Sequence, residues 1–259
     1  MKQGLLAMAA AAALTAGLAA QGGRGGAQPP RSPREAAPVD LTGYWVSLVT
    51  EDWRWRMVTP LKGDSASVPV NDEARKIVEA WDPARDEAAG LQCKAYGAAA
   101  IMRVPGRLHI TWQDDQTLKV ETDAGSQTRL LRFGSPSGQR GEASWQGDSA
   151  ARWEAGQAPV TGGVPIGLGA RVNTRSRSLE VITTNLRSGY LRKNGVPYSD
   201  KTTLTEYFER FSEPNGDDHL MVMSIVNDPV YLAIPFVTTS DFRKEADGSK
   251  WDPSPCSAR

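Results

Sequence analysis

The sequence is poor in the two residues that most often carry chemistry. Its 259 residues include two histidines, His109 and His219, and two cysteines, Cys93 and Cys256. An imidazole base or metal ligand must therefore come from those two histidines. A cysteine-based metal site is not expected, because neither cysteine has a second at ligand spacing. An excess of charge is also lacking: 30 Lys and Arg balance 30 Asp and Glu. Such a balance gives no sign of the basic surface that nucleic-acid binding needs. There is no Walker-type phosphate loop, HExxH, CxxC or Gly-x-Ser-x-Gly elbow. Gly147-Asp148-Ser149-Ala150 only half resembles that elbow and precedes a strand pattern rather than a helix.

Long apolar runs are also few. The one that stands out is Leu5 to Ala20, preceded by Lys2 and ending in small residues, which reads as a secretory signal peptide at 1–20. No later run reaches the roughly 18 apolar residues of a membrane-spanning helix, so no span is expected in the mature chain and the location is expected to be periplasmic or secreted. In an oxidising compartment a lone pair of cysteines is most simply a Cys93–Cys256 disulfide, and two buried thiols are the alternative. Residues 21–39 are Gly, Pro and Arg with little to bury, the composition of a disordered linker. A single domain is expected over 40–259.

What is present is mostly period two. Segments 43–50, 53–59, 98–104, 107–112, 117–123, 128–133, 149–154, 179–187, 203–211, 219–226 and 235–243 read as strands. Pro105-Gly106, Ala124-Gly125, Asn215-Gly216 and Asn227-Asp228-Pro229 mark turns between them. Segment 71–81 differs. Asn71 or Asp72 can cap it, and Ile77, Val78 and Trp81 share a helical face. A second short helix follows at about 83–89, and 155–170 is a Gly-rich loop. The fold class predicted is all-β: one antiparallel β-barrel of about ten strands, with one or two short helices inserted after the second strand.

Asp40-Leu41-Thr42-Gly43-Tyr44-Trp45 opens the ordered region. A Gly-x-Trp just before the first strand resembles the start of lipocalin-type barrels, which implies a Trp packed across the closed end of the barrel. The C-terminal part also resembles exported bacterial proteins of no established activity, through Glu206-Tyr207-Phe208, Asp228-Pro229, Pro235-Phe236 and Cys256. That second resemblance implies export and fold but no chemistry.

Candidate site residues follow from side-chain chemistry and alternation. Trp53 and Trp55 share a strand face with Met57, with Arg54 and Arg56 opposite. Such an aromatic strip stacks on a flat ligand or fills core. Met221 and Met223 can line an adaptable pocket, with His219 at its rim. An inward Glu206–Arg210 pair can grip a polar group or serve as a salt bridge. The basic, aromatic segment Tyr190 to Tyr198, which carries Arg192 and Lys193, is a solvated loop or a lid over an anionic ligand. The favoured function is an exported lipocalin-like protein that binds a small apolar or amphipathic molecule in a barrel pocket. Trp53, Trp55, Trp112, Tyr207, Arg210, Met221 and Met223 would line or flank that pocket. One alternative is an exported lyase, isomerase or hydrolase with His109 or His219 as general base and Glu206 assisting. The other is a cell-envelope interaction or carbohydrate-binding module. No cofactor and no metal are expected; the partner is a small-molecule ligand or substrate.

Overall fold

The structure is a computed structural model that describes residues 31–134, 141–154 and 178–259. The expected signal peptide, the linker up to residue 30 and the loop at 155–170 lie outside the described residues. The described strands are β1 Gly43–Leu48, β2 Arg107–Asp114, β3 Thr117–Thr122, β4 Gln127–Phe133, β5 Asp148–Trp153, β6 Leu179–Thr184, β7 Gly189–Arg192, β8 Val196–Tyr198, β9 Thr203–Ser212, β10 Asp218–Asn227 and β11 Phe236–Glu245. The short helices are α1 Trp53–Arg56, α2 Asp72–Ala80, α3 Pro83–Ala88 and α4 Ala98–Ile101, with a 3₁₀ turn at Gln92–Tyr96. Among the described residues no helix is long and apolar enough to cross a membrane.

Nine strands close into a barrel in the order β1-β11-β10-β9-β6-β5-β4-β3-β2, and β1 pairs with β2 to shut it. Every neighbouring pair is antiparallel except β4 and β5, which run parallel. The strictly antiparallel meander expected from sequence is corrected at that one seam. After β4 the chain returns to the far end before β5 begins. Alternation decides what points inward. In β2, Leu108 and Ile110 are buried between half-exposed neighbours, and in β10 Leu220, Val222, Ser224 and Val226 are buried. One end of the interior is packed solid with Trp45, Leu131, Leu179, Phe208 and Phe242. Burial of each such side chain contributes about 1.5–3 kcal/mol.

Trp45 is fully buried, and its Nε1 donates to the Leu41 carbonyl at 3.0 Å. Residues 31–39, expected as linker, lie against this end. Ser32 and Glu35 cap each other's backbone N–H, and Trp153 Nε1 donates to the Pro33 carbonyl at 2.8 Å.

The other end carries the helices. Asn71 caps α2 by accepting from Ala74 N at 3.0 Å, and Asp82 caps α3, which begins with Pro83. These two helices match the sequence reading. Two other segments do not. Residues 53–56 turn through one helical turn instead of forming a strand, so the helices follow the first strand rather than the second. Residues 98–101 are helical rather than extended. Ala98-Ala99-Ala100 favours a helix, and burial of all four residues removes any two-faced alternation. The β7–β8 hairpin stands outside the barrel sheet and packs with Ala74, Val78, Ala98 and Ala99 into a second apolar cluster. Gly195 makes its tight turn possible, with φ of +83° and a position whose Cβ would stand 2.4 Å from the Trp81 ring.

Candidate functional site

α1, the 3₁₀ turn, α4 and β7, with the loops beside them, line a half-open cavity of about 330 Å³ at this capped end. One part of its wall is apolar and aromatic: Trp55, Met57, Val58, Tyr96, Ala100 and Leu191. The other part is cationic: Arg56, Arg103, Arg192 and Lys193. Met57 and Val58 are exposed at 59% and 64%, so the cavity opens to solvent beside α1.

Local backbone places the arginines. β1 ends at Leu48, and the chain reverses at Asp52, whose φ of 52° is left-handed. Asp52 precedes α1 yet gives it no side-chain cap. Its carboxylate instead accepts from Arg103 Nη2 at 2.6 Å. Arg56 Nε donates to the Arg103 carbonyl at 2.9 Å. Arg192, in β7, donates from Nη2 to Ser67 Oγ at 2.9 Å, and Ser67 is also left-handed, with φ of 62°. Two strained residues thus hold two of the arginines. The hairpin tip is fixed by Asn194, which donates to the carbonyls of Leu61 and Asp64 at 2.9 and 2.8 Å.

The electrostatics are lopsided. Arg56, Arg103 and Arg192 are 8%, 7% and 5% exposed. Among the described residues, Asp52 is the only carboxylate in direct contact with them. Arg56 Nη2, Arg103 Nη1 and Arg192 Nε and Nη1 are buried with no hydrogen-bond partner. Burial, followed by the neighbouring Arg103 charge, pulls the Arg56 and Arg192 guanidiniums down to about 10. Glu51, Asp52 and Asp241 oppose this at Arg56, and Asp52 and Asp64 oppose it at Arg192.

Trp55 links the two parts of the wall. Its ring lies between Arg54 and Arg192, with guanidinium carbons 4.7 and 4.9 Å from the ring centre, and its Nε1 donates to Asp64 Oδ2 at 3.0 Å. A Cys93–Cys256 disulfide (S–S 2.05 Å) ties the 3₁₀ turn that carries Tyr96 to the C-terminal segment that carries Ser254, and both residues line the cavity.

Of the residues proposed from sequence to contact a ligand, Trp55 lines this cavity. Trp53 is on the adjoining surface, 66% exposed. Its shared strand face with Trp55 and Met57 does not exist, because the segment is helical. Trp112 is at the opposite end of the barrel, stacked on Phe133 at 5.6 Å. Arg210 is at that end too, bound to the Asp40 carbonyl and to Asp218. The expected Glu206–Arg210 pair is replaced, since Glu206 turns inward and binds Arg129. Tyr207, Met221 and Met223 alternate with buried neighbours and so face outward, Tyr207 donating to Glu180 Oε1 at 3.1 Å. His109 stacks on Tyr44 at 4.1 Å and His219 on Phe211 at 5.3 Å, both on the outer face. β11 and β1 separate their strands, about 14 Å across three strand spacings, so the structure does not bring the histidines together.

Sequence reasoning missed Arg56, Arg103 and Ser67. The available signal was Arg103 at the end of the apolar run Ala98 to Met102, where a charge is either paired or functional. No protein family matches the chain, and no curated protein or solved structure is significantly similar to it.

Proposed function

We propose that this protein is an exported, lipocalin-like binder that takes a small amphipathic molecule in the cavity at the capped end of its barrel. The observation that carries this reading is the cavity itself: about 330 Å³, with an apolar, aromatic wall facing a polar one. The barrel centre offers less room, because Arg129 and Glu206 fill it at zero exposure. The ligand space of this reading is the cavity beside α1 and β7. Gly43-Tyr44-Trp45 and the closed barrel support the lipocalin-like part of the reading, and the disulfide supports export.

Native mass spectrometry of protein expressed in a bacterial periplasm, combined with tryptophan fluorescence, tests the reading. A non-covalent adduct, or emission that shifts on adding octanol or octanoate and no longer shifts in Trp55→Phe, is expected. A clean apo mass together with no emission change for either amphiphile would overturn it.

A further inference from the structure

We infer that Arg56, Arg103 and Arg192 form a receptor for an oxyanion head group, a carboxylate or a phosphate monoester, at the polar wall of the cavity. The inference rests on the reading above that the cavity takes a ligand, and it names the ligand's chemical class.

Buried arginines are ordinarily paired, because a desolvated cation without acceptors is costly. Elsewhere this protein comes closer to that rule: Arg129 is as deeply buried, places both terminal nitrogens on Glu206 and leaves only Nε without a partner. At the cavity three guanidiniums share the single contacting carboxylate of Asp52, and four of their nitrogens have no partner among the described residues. Such a deficit on three neighbouring side chains of one cavity wall is open to acceptors brought by a ligand.

The kind of acceptor follows from guanidinium geometry. Its planar fork suits a carboxylate or phosphate held by paired N–H donors, and burial strengthens each bond. Arg192 offers two unpartnered positions, Nε and Nη1, on different edges of its planar guanidinium, flanking the Nη2 held by Ser67. Arg56 and Arg103 add one donor each. The donors are restrained before any ligand arrives, since Asp52, the Arg103 carbonyl and Ser67 each already hold one nitrogen of a different guanidinium. Restrained donors lose little freedom on binding, which favours affinity. An apolar tail would then run along Met57, Val58 and Leu191 toward the opening.

The test is calorimetric titration of the intact, oxidised protein with octanol, octanoate and octyl phosphate, which share one tail and differ in the head. Octanoate or octyl phosphate is expected to bind at least about tenfold more tightly than octanol, the yield of one charge-assisted hydrogen bond. Arg192→Met should weaken the anions about tenfold and leave octanol within about twofold. A preference for octyl phosphate over octanoate assigns the phosphate head, and the reverse assigns the carboxylate. Octanol binding as tightly as both anions would overturn the receptor while leaving the amphiphile-binding reading intact. Failure of all three to bind would overturn both. If Arg192→Met does not fold, wild-type protein supplies the second measurement. Octanoate must raise its melting temperature more than octanol at equal concentration, and an equal rise overturns the inference.

Discussion

Arg129 on β4 and Glu206 on β9 meet inside the barrel, with Arg129 Nη1 and Nη2 3.0 and 2.5 Å from the two carboxylate oxygens and both side chains at zero exposure. Arg129 Nη2 also donates to Thr183 Oγ1 at 3.3 Å, and that hydroxyl is 2.8 Å from Ser149 Oγ. The cluster spans β4, β5, β6 and β9, including the parallel seam. Removal of one partner leaves the other as an uncompensated buried charge. Glu206→Leu should therefore cost about 3–5 kcal/mol. Arg129→Met combined with Glu206→Leu should recover most of that loss, because it leaves no orphan ion. Urea unfolding of the two single variants and the double variant measures both quantities. Additive losses in the double variant would mean that the two side chains do not act as a pair.

The same pair shows where sequence reading stops. Glu206 was legible as inward because Leu204, Glu206 and Phe208 alternate with polar neighbours, but its partner lies 77 residues earlier. Alternation assigns a face; it does not say what stands opposite. In β10 it could not assign even the face. Leu220 and Val222 alternate with Met221 and Met223, so both faces are apolar, and only barrel closure puts the methionines outside. β2 and β3 were legible because period two and a turn agree there. Trp53-Arg54-Trp55-Arg56 alternates as well, yet four residues cannot separate period two from a single helical turn, and the left-handed Asp52 decides the matter. The cavity was the least legible feature. Its arginines come from segments that meet only after the barrel closes, although Arg192 lies within the segment read as a solvated loop or a lid over an anionic ligand.

The disulfide should stabilise the fold through the length of chain it closes. Cys93 and Cys256 are 163 residues apart, and a loop of that size is worth about 2–5 kcal/mol in the chain-entropy description. The joined segment also docks by its backbone, with Ser254 N donating to the Asp123 carbonyl at 2.9 Å and Ser126 Oγ donating to the Ser254 carbonyl at 3.0 Å. A Cys93→Ser, Cys256→Ser variant should unfold at lower urea and expose the chain after Lys250 to trypsin. Equal midpoints for oxidised and reduced wild type would show that the link does not limit stability.

Asp86 fastens the hairpin to the helices. It is 7% exposed, accepts from Lys94 Nζ at 2.8 Å and from the Tyr190 hydroxyl at 2.9 Å, and so ties α3 and the 3₁₀ turn to β7. Burial first, then the hydrogen bond to Asp86 and the charge of that carboxylate, hold the Tyr190 phenol well above its ordinary range. Tyr190→Phe removes one hydrogen bond to a charged group, and a loss of about 1.5–3 kcal/mol is expected. Because β7 carries Arg192, amide exchange in 189–198 should accelerate more than in β9 or β10. Uniform acceleration across the barrel would show instead that the tyrosine supports the whole fold.

Glu180 gives the protein an acid-sensitive contact on its outer surface. Its carboxylate accepts from Arg152 Nε and from the Tyr207 hydroxyl, and it joins β5, β6 and β9. The Arg152 hydrogen bond, the largest influence, and then Tyr207 hold the carboxyl below its ordinary 4.5, against the opposing effect of burial. A carboxyl depressed in the folded state binds fewer protons there than in the unfolded chain. Its stabilisation is therefore complete above the ordinary value and fades as pH falls through the lower folded value. Arg152 is 70% exposed, so the contribution should stay below about 1 kcal/mol and shrink in salt. The stability difference between wild type and Glu180→Gln, followed by urea unfolding, should be largest near pH 7 and narrow steadily once the pH drops below about 4.5. A difference that stays constant from neutral to acid pH would mean that the glutamate acts through shape and hydrogen bonding alone, with its charge contributing nothing.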